Sequence, residues 1–238
     1  LACRIHTDDG LVGHGETYYQ PGAAEAIIHD WMTPRLLGSD ALNIEGHWRF
    51  LYERSANIGA RGAELRAISA VDLALWDIKG KAAGMPVWQL LGGRAQEGVR
   101  LYSSIGYGKS SPHPQGTWPG YGQMGEKDPL NDYWNAIHEP AAFARAMIAE
   151  EISGVKLWTL DFAAHKLNGS LYISPADLRQ GMKPFFAIRE AVGDQLEVIL
   201  DGHGFFQLPA ALRIAEAMRE VKPLCLEDVI RPDCIDTI

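Results

Sequence analysis

The sequence predicts a mixed α/β chain: an α+β module over residues 1–95, followed over 96–238 by a partial (β/α) TIM-like barrel. Three observations carry this expectation. A hairpin pattern opens the chain and gives way to apolar residues at helical spacing. From Val99 onward, short apolar runs alternate with helical stretches, the signature of a parallel sheet covered by helices. The stretch 196–229 then reads as strand, turn, helix, strand, with a carboxylate closing each strand.

Leu1 to His6 reads as a strand, Asp8, Asp9 and Gly10 as a turn, and Val12 to Thr17 as the returning partner. Gly22 to Leu37 reads as a helix with Ala24, Ile27, Ile28 and Trp31 on one side, and Ile44 to Tyr52 begins another. Ser55 to Gly62 is polar and is expected to be a loop. Leu65, Ile68, Val71, Leu75 and Ile78 mark a long amphipathic helix that runs to about Ala83, where Gly84 and Pro86 stop it. Asp72 and Asp77 on that helix are expected to cap it or form ion pairs.

In the second part, Val99 to Ile105 and Gly154 to Thr159 are strand-like, and Pro140 to Glu151 and Pro184 to Val192 are helical. Val198, Ile199 and Leu200 form a strand that ends on Asp201, Gly202 and His203. Pro209 opens a helix with Leu208, Leu212, Ala215 and Met218 at helical spacing. Leu224, Cys225 and Leu226 form the next strand, expected to be buried, which ends on Glu227 and Asp228. Four such strands precede Ile238, whereas a closed barrel needs eight. Gly106 to Glu139 breaks the rhythm with no periodicity and many Gly, Pro, Trp and Tyr residues. Its aromatics (Tyr107, Trp118, Tyr121, Tyr133, Trp134) argue against plain disorder. Following a strand, it is expected either to line or cover a substrate pocket or to contact another subunit.

Composition excludes several classes. The net charge is -8, from 22 basic and 30 acidic residues, which argues against nucleic acid as a partner. No apolar run approaches the roughly 20 residues that span a bilayer, and LACRIHTDDG carries no signal-peptide pattern. Cys3, Cys225 and Cys234 form no CxxC pair, so a reducing, cytoplasmic setting without a zinc site and without a membrane partner is expected. Gly92-Gly93 lacks the lysine and hydroxyl residue of a phosphate loop, and no GxSxG or Cys/His pair suggests a nucleophile.

The chemistry concentrates at strand ends. Asp201 and Glu227 occupy matching positions one βα unit apart, and in a parallel barrel strand C-termini face the active site. Two acids held side by side call for a cation, and a hard ion such as Mg²⁺ prefers carboxylate oxygens. Either acid alone could equally be a helix N-cap or simply solvated. His203, two residues beyond Asp201, would project beside such a site as an acid or base. Lys156, in GVKLW one unit earlier, is costly in a strand unless it meets a polar mouth or an anion. It could bind a carboxylate, transfer a proton, or snorkel from an edge.

The run AISAVDLALWDIKGKAAGMPVWQLLGG, Ala67 to Gly93, closely resembles the helix and turn joining capping domain to barrel in the mandelate racemase/muconate lactonising group of the enolase superfamily. GLVGHGET, IEGHWRFLYERS and PFFAIREAVGD resemble the same group, so the resemblance spans essentially the whole chain. It implies that residues 1–95 are the capping domain without its first strands. It further implies that Asp201 and Glu227 are the first two of three Mg²⁺ ligands. The DGH arrangement is similar to acid-sugar dehydratases of the galactonate type, in which this histidine, here His203, acts as general acid on the departing hydroxyl. Lys156 matches the first lysine of the Lys-x-Lys pair usual in the racemases and cycloisomerases of the group, and Trp158 stands in the second place. That favours a hydro-lyase giving a 2-keto-3-deoxy acid. Tyr19, Arg54, Arg61 and Trp158 are the expected substrate contacts, the small-molecule partner is a sugar acid, and the full-length protein is expected to be a homo-oligomer. In the family the third ligand and the base lie on later strands, so the chain as written is expected to be incomplete for catalysis.

Two alternatives stay open on sequence, and a third is weaker. A racemase or epimerase could use His203 with an unseen partner. A truncated barrel could be a non-catalytic remnant. A glycosidase reading of the acid pair gives His203 and Lys156 no role.

Overall fold

Antiparallel strands β1 (Ala2–His6) and β2 (Val12–Glu16) open the chain, paired from Ala2↔Glu16 to His6↔Val12. The Thr7 hydroxyl accepts the Leu11 N–H at 2.9 Å and closes the turn between them. The computed structural model describes residues 1–59, 61–106, 121–122 and 125–232, and the chain divides into two units, Leu1–Glu97 and Gly98–Ile238.

The first unit continues through α1 (Pro21–Ala26), a wider π-helical segment Ile27–Met32, and α2 (Thr33–Leu36). The expected single helix from Gly22 to Leu37 is therefore continuous but not regular. Pro34 has no N–H to donate and its ring crowds the preceding turn, while the Thr33 hydroxyl donates to Ile28 O at 2.8 Å, so the backbone widens there. Then come α3 (Ile44–Ser55), α4 (Ala63–Ala83), stopped at left-handed Gly84, and short α5 (Val87–Leu90). Strand β2 lies directly on α4. A Cβ at Gly13 would stand 2.1 Å from Ala74 O, and one at Gly15 1.9 Å from Ala70 O, so only glycine fits at either place. Asp77 ties the two together, accepting the His14 N–H at 2.8 Å and the Lys81 ammonium at 2.7 Å.

The second unit is a four-stranded parallel sheet in the order β3 (Ser103–Ser104), β4 (Gly154–Leu157), β5 (Glu197–Asp201) and β6 (Cys225–Glu227). Between β3 and β4 stand α6 (Asp132–His138) and α7 (Pro140–Ala149). Short α8 (Asp161–Ala164) and long α9 (Pro175–Val192) separate β4 from β5, and α10 (Leu208–Met218) separates β5 from β6. Val155, Leu157, Val198 and Leu200 alternate to one side and are buried with Phe185, Ile188, Ile214 and Met218 of the helices. Each such side chain contributes about 1.5–3 kcal/mol on leaving water. Lys156, Ile199, Asp201 and Glu227 fall on the opposite side by the same alternation.

Four expectations need correction. The strand expected over Val99–Ile105 is ordered as strand only at Ser103–Ser104, because residues 150–153 opposite its start are still leaving α7 and offer no ladder; Val99 and Leu101 stay exposed. Helix α9 starts at Pro175, not Pro184: the Ser174 hydroxyl accepts the Asp177 N–H at 3.1 Å and Pro175 takes the first turn, so Pro184 lies inside the helix. The aperiodic stretch ends in α6, whose first turn is capped by the Asn131 side chain accepting the Trp134 N–H at 3.0 Å. Tyr107 and Trp118 of that stretch, and Cys234, lie outside the described residues. Cys225 is exposed rather than buried, since β6 is the edge of the described sheet. Among the described residues, no helix is long and apolar enough to cross a membrane.

Candidate active site

The C-terminal ends of β4, β5 and β6 bring three charged groups together. Asp201 and Glu227 stand directly opposite one another in the parallel register, each the last residue of its strand. Lys156 is paired with Ile199, two residues lower, on the same face. Its side chain climbs that step of about 6.6 Å to place its ammonium 3.0 Å from Asp201 Oδ2 and 2.7 Å from Glu227 Oε1. The Tyr102 ring lies 5.7 Å from the same nitrogen. Burial alone would push the lysine down, but the Glu227 and Asp201 carboxylates outweigh it and hold the ammonium above its ordinary range. Lys156 is therefore charged, and both acids aim at one positive point.

The loop after β5 is shaped by its backbone. Gly202 donates to Glu227 O at 2.9 Å, and a Cβ there would stand 2.8 Å from Val229 Cα, so glycine lets the two strand ends stay side by side. His203 follows in the left-handed region at φ 48°, its N–H bonded to Asp201 Oδ1 at 2.9 Å. Such a conformation costs a non-glycine residue about 1–3 kcal/mol. It turns the imidazole across the strand ends: Nδ1 lies 2.7 Å from Asp161 Oδ2 and Nε2 lies 3.6 Å from Asp201 Oδ2. The Asp161 hydrogen bond raises the imidazole above its ordinary range, against the opposing effect of burial. Asp161, at the start of α8, is only 2% exposed, and burial pushes its carboxyl up to about 6 despite the histidine beside it.

Trp158 packs beside this cluster. Its indole N–H donates to Ile105 O at 2.9 Å, its ring stacks on Tyr133 at 4.3 Å, and its edge meets the His203 ring at 6.0 Å. Trp158 and Tyr133 are both buried, so the aperiodic stretch contributes packing behind the histidine through Tyr133. Tyr121 packs edge-on against Phe162 at 5.0 Å, and burial pushes its phenol up to about 12.

The structure thus brings Lys156, Trp158, Asp201, His203 and Glu227 together. Tyr19, Arg54 and Arg61 belong to the first unit. Tyr19 is exposed in the left-handed region with the Arg66 guanidinium 5.0 Å over its ring. Arg61 and Arg66 line a small cleft of about 280 Å³ with Thr17 and Ser69. Arg54 is exposed, its guanidinium 5.6 Å over Phe50. A separate cleft of about 930 Å³ along β1 lies wholly in this unit and contains none of the charged cluster. Asp161 is the residue that sequence reasoning missed. The one available signal was its place four residues past Leu157, where a βα turn would follow the strand.

Asp201 and Glu227 are the residues able to hold a metal. Among the described residues no third His, Cys, Asp or Glu completes a cluster with them. Their chemistry nevertheless fits Mg²⁺, which keeps several waters and binds through one or two carboxylates. The Lys156 ammonium at their focus is itself a cation held by both.

A parallel sheet with acids on successive strand ends, preceded by a hairpin-and-helix unit, defines a class, and the comparisons agree. The family models "Mandelate racemase / muconate lactonizing enzyme, N-terminal domain" and "Enolase C-terminal domain-like" match residues 1–92 and 139–238. The chain belongs to the mandelate racemase/muconate lactonizing enzyme group of the enolase superfamily. It is 30% identical over 234 residues to a D-galactonate dehydratase of Pectobacterium atrosepticum, covering 95% of this chain and 51% of that one. It is 31% identical over 232 residues to a D-mannonate dehydratase of a Caulobacter species, covering 97% and 55%. Among solved structures it resembles an enolase protein from Sargasso Sea environmental sequencing, with TM-score 0.80 and 31% identity, covering 98% of this chain and 55% of that chain. An enolase of the mandelate racemase subgroup from Agrobacterium tumefaciens aligns with TM-score 0.79 and 31% identity, covering 99% and 55%. The chain spans about half the length of the relatives it matches.

Proposed function

We propose that this chain carries the cation and general-acid half of a Mg²⁺-dependent acid-sugar dehydratase. The observation that carries the reading is the convergence of Asp201 and Glu227 on one positive charge, with His203 against the same carboxylate. The names of the dehydratase relatives support the substrate class.

Asp201 and Glu227 would hold the metal. When bound, Mg²⁺ would supply positive charge that offsets the negative charge developing as a general base, which none of these residues supplies, takes the proton α to the substrate carboxylate. Lys156, charged and on the same face, binds and orients that carboxylate. His203 delivers a proton to the β-hydroxyl oxygen as the C–O bond breaks, so water departs rather than hydroxide. The enol left behind tautomerises to a 2-keto-3-deoxy acid. Trp158 backs His203 and excludes water behind it.

Mass spectrometry of the protein purified at its natural length from its source, incubated with Mg²⁺ and a panel of six-carbon sugar acids, tests this. The reading predicts a product lighter by one water, formed only with metal and slowed about 10²–10⁴-fold in His203→Asn. A product of unchanged mass epimerised at the α-carbon, or no metal-dependent turnover, would overturn it.

A further inference from the structure

Asp161 is a buried carboxylate with a single partner. Its Oδ2 lies 2.7 Å from His203 Nδ1, while its Oδ1 is buried with no hydrogen-bond partner among the described residues. A buried oxygen left unbonded costs about 1–3 kcal/mol and asks for a reason. Packing does not require a carboxylate here. The neighbours Leu160, Ala163 and Trp158 are apolar core residues that an aliphatic side chain could join. What the carboxylate does is hold one ring nitrogen of a histidine whose backbone is already turned into the left-handed region.

We infer that Asp161 is a positioning residue: it selects the tautomer of His203 that carries its proton on Nδ1 and aims Nε2 at the strand ends where Asp201 and Lys156 meet. An ionised carboxylate only accepts hydrogen bonds, so at 2.7 Å it requires Nδ1–H. The other nitrogen then lies 3.6 Å from Asp201 Oδ2 and is the one that exchanges protons with a molecule bound there. A solvated histidine side chain prefers the opposite tautomer, with the proton on Nε2. Without Asp161 the resting histidine would relax towards that form, and its ring would lose the anchor that fixes its direction. Where His203 acts as acid, the Nε2–H bond breaks and an O–H bond forms on the departing hydroxyl. The C–O electron pair leaves with that oxygen, and the histidine returns to the neutral Nδ1–H form still bonded to Asp161. That last step rests on the dehydratase reading; the tautomer assignment does not.

The test is long-range proton–nitrogen NMR of the ¹⁵N-labelled protein, at a pH raised until the nitrogen signals show the His203 ring to be neutral, because Asp161 holds it above the ordinary imidazole range. The His203 ring is identified by the signals lost in His203→Asn. The native protein is expected to show His203 Nδ1 as the protonated nitrogen and Nε2 as the bare one. In Asp161→Asn, with circular dichroism confirming the fold, the signals are expected to shift towards the Nε2–H form. A native His203 protonated on Nε2 would overturn the inference without any variant, and so would a folded Asp161→Asn that keeps Nδ1–H. Both readings are taken without substrate, so a failed sugar-acid screen would sink the dehydratase reading and leave this result standing.

Discussion

The Lys156 ammonium lies 2.7 Å from Glu227 Oε1, although the two residues are 71 positions apart in the chain. The contact exists because β4, β5 and β6 are adjacent and parallel, so that each strand end reaches the same rim. Lys156 also meets Asp201, so one cation offsets two acids that would otherwise repel across neighbouring strands.

Replacing Lys156 with methionine should therefore destabilise the second unit by about 2–4 kcal/mol. Glu227 is partly exposed and contributes at the lower end, whereas Asp201 is buried and is left without its counter-charge. Urea unfolding measures the loss. Mg²⁺ is expected to stabilise Lys156→Met more than the native protein, because the unpaired acids gain more from a cation. The sign with pH is also fixed. The lysine is held above its ordinary value, so its contribution is fully present below about pH 10.4 and is lost as pH rises through the folded value.

Asp161 has the same sign of pH dependence, in a lower window. Its carboxyl is raised from 3.8 to about 6 by burial, so the folded protein binds its proton more tightly than the unfolded chain does. Stability from this group is present below the unfolded value and falls as pH rises through the folded one. Relative to Asp161→Asn, the native protein should lose on the order of 2 kcal/mol between about pH 4 and pH 6. Urea unfolding at both ends of that window, on both proteins, gives the difference directly. Equal pH slopes would show that burial of Asp161 does not control its acidity.

Gly202→Ala should cost about 1–3 kcal/mol, because the added Cβ meets Val229 Cα at 2.8 Å and Asp228 O at 3.1 Å, both backbone atoms. The strand ends must part to admit it. Chemical denaturation would read the cost, and an unchanged midpoint would mean that the β5–β6 rim yields without penalty.

Much of this site was legible because its residues close strands. Val198 to Leu200 and Leu224 to Leu226 mark two strands, and the acids that end them mark the rim, so Asp201 and Glu227 can be paired from the order of residues alone. Helix α4 was legible for a similar local reason, since its apolar period and the glycine that stops it are both written in one stretch. Asp161 was not. Its partner is 42 positions away, and the short helix it begins has no period to reveal it. The start of α9 was hidden by Pro184, which looks like a first-turn proline but sits mid-helix, with the Ser174–Pro175 cap nine residues earlier doing the starting. The burial of Cys225 was misjudged because an apolar run shows that a strand exists, and its neighbours decide whether it is covered.

Isothermal titration of Mg²⁺ into the purified protein tests the central claim most directly. The account predicts one saturable site, weakened by more than about tenfold in both Asp201→Asn and Glu227→Gln. The same Mg²⁺ uptake in all three proteins would mean that the two strand-end carboxylates do not form a cation site, and would contradict the account.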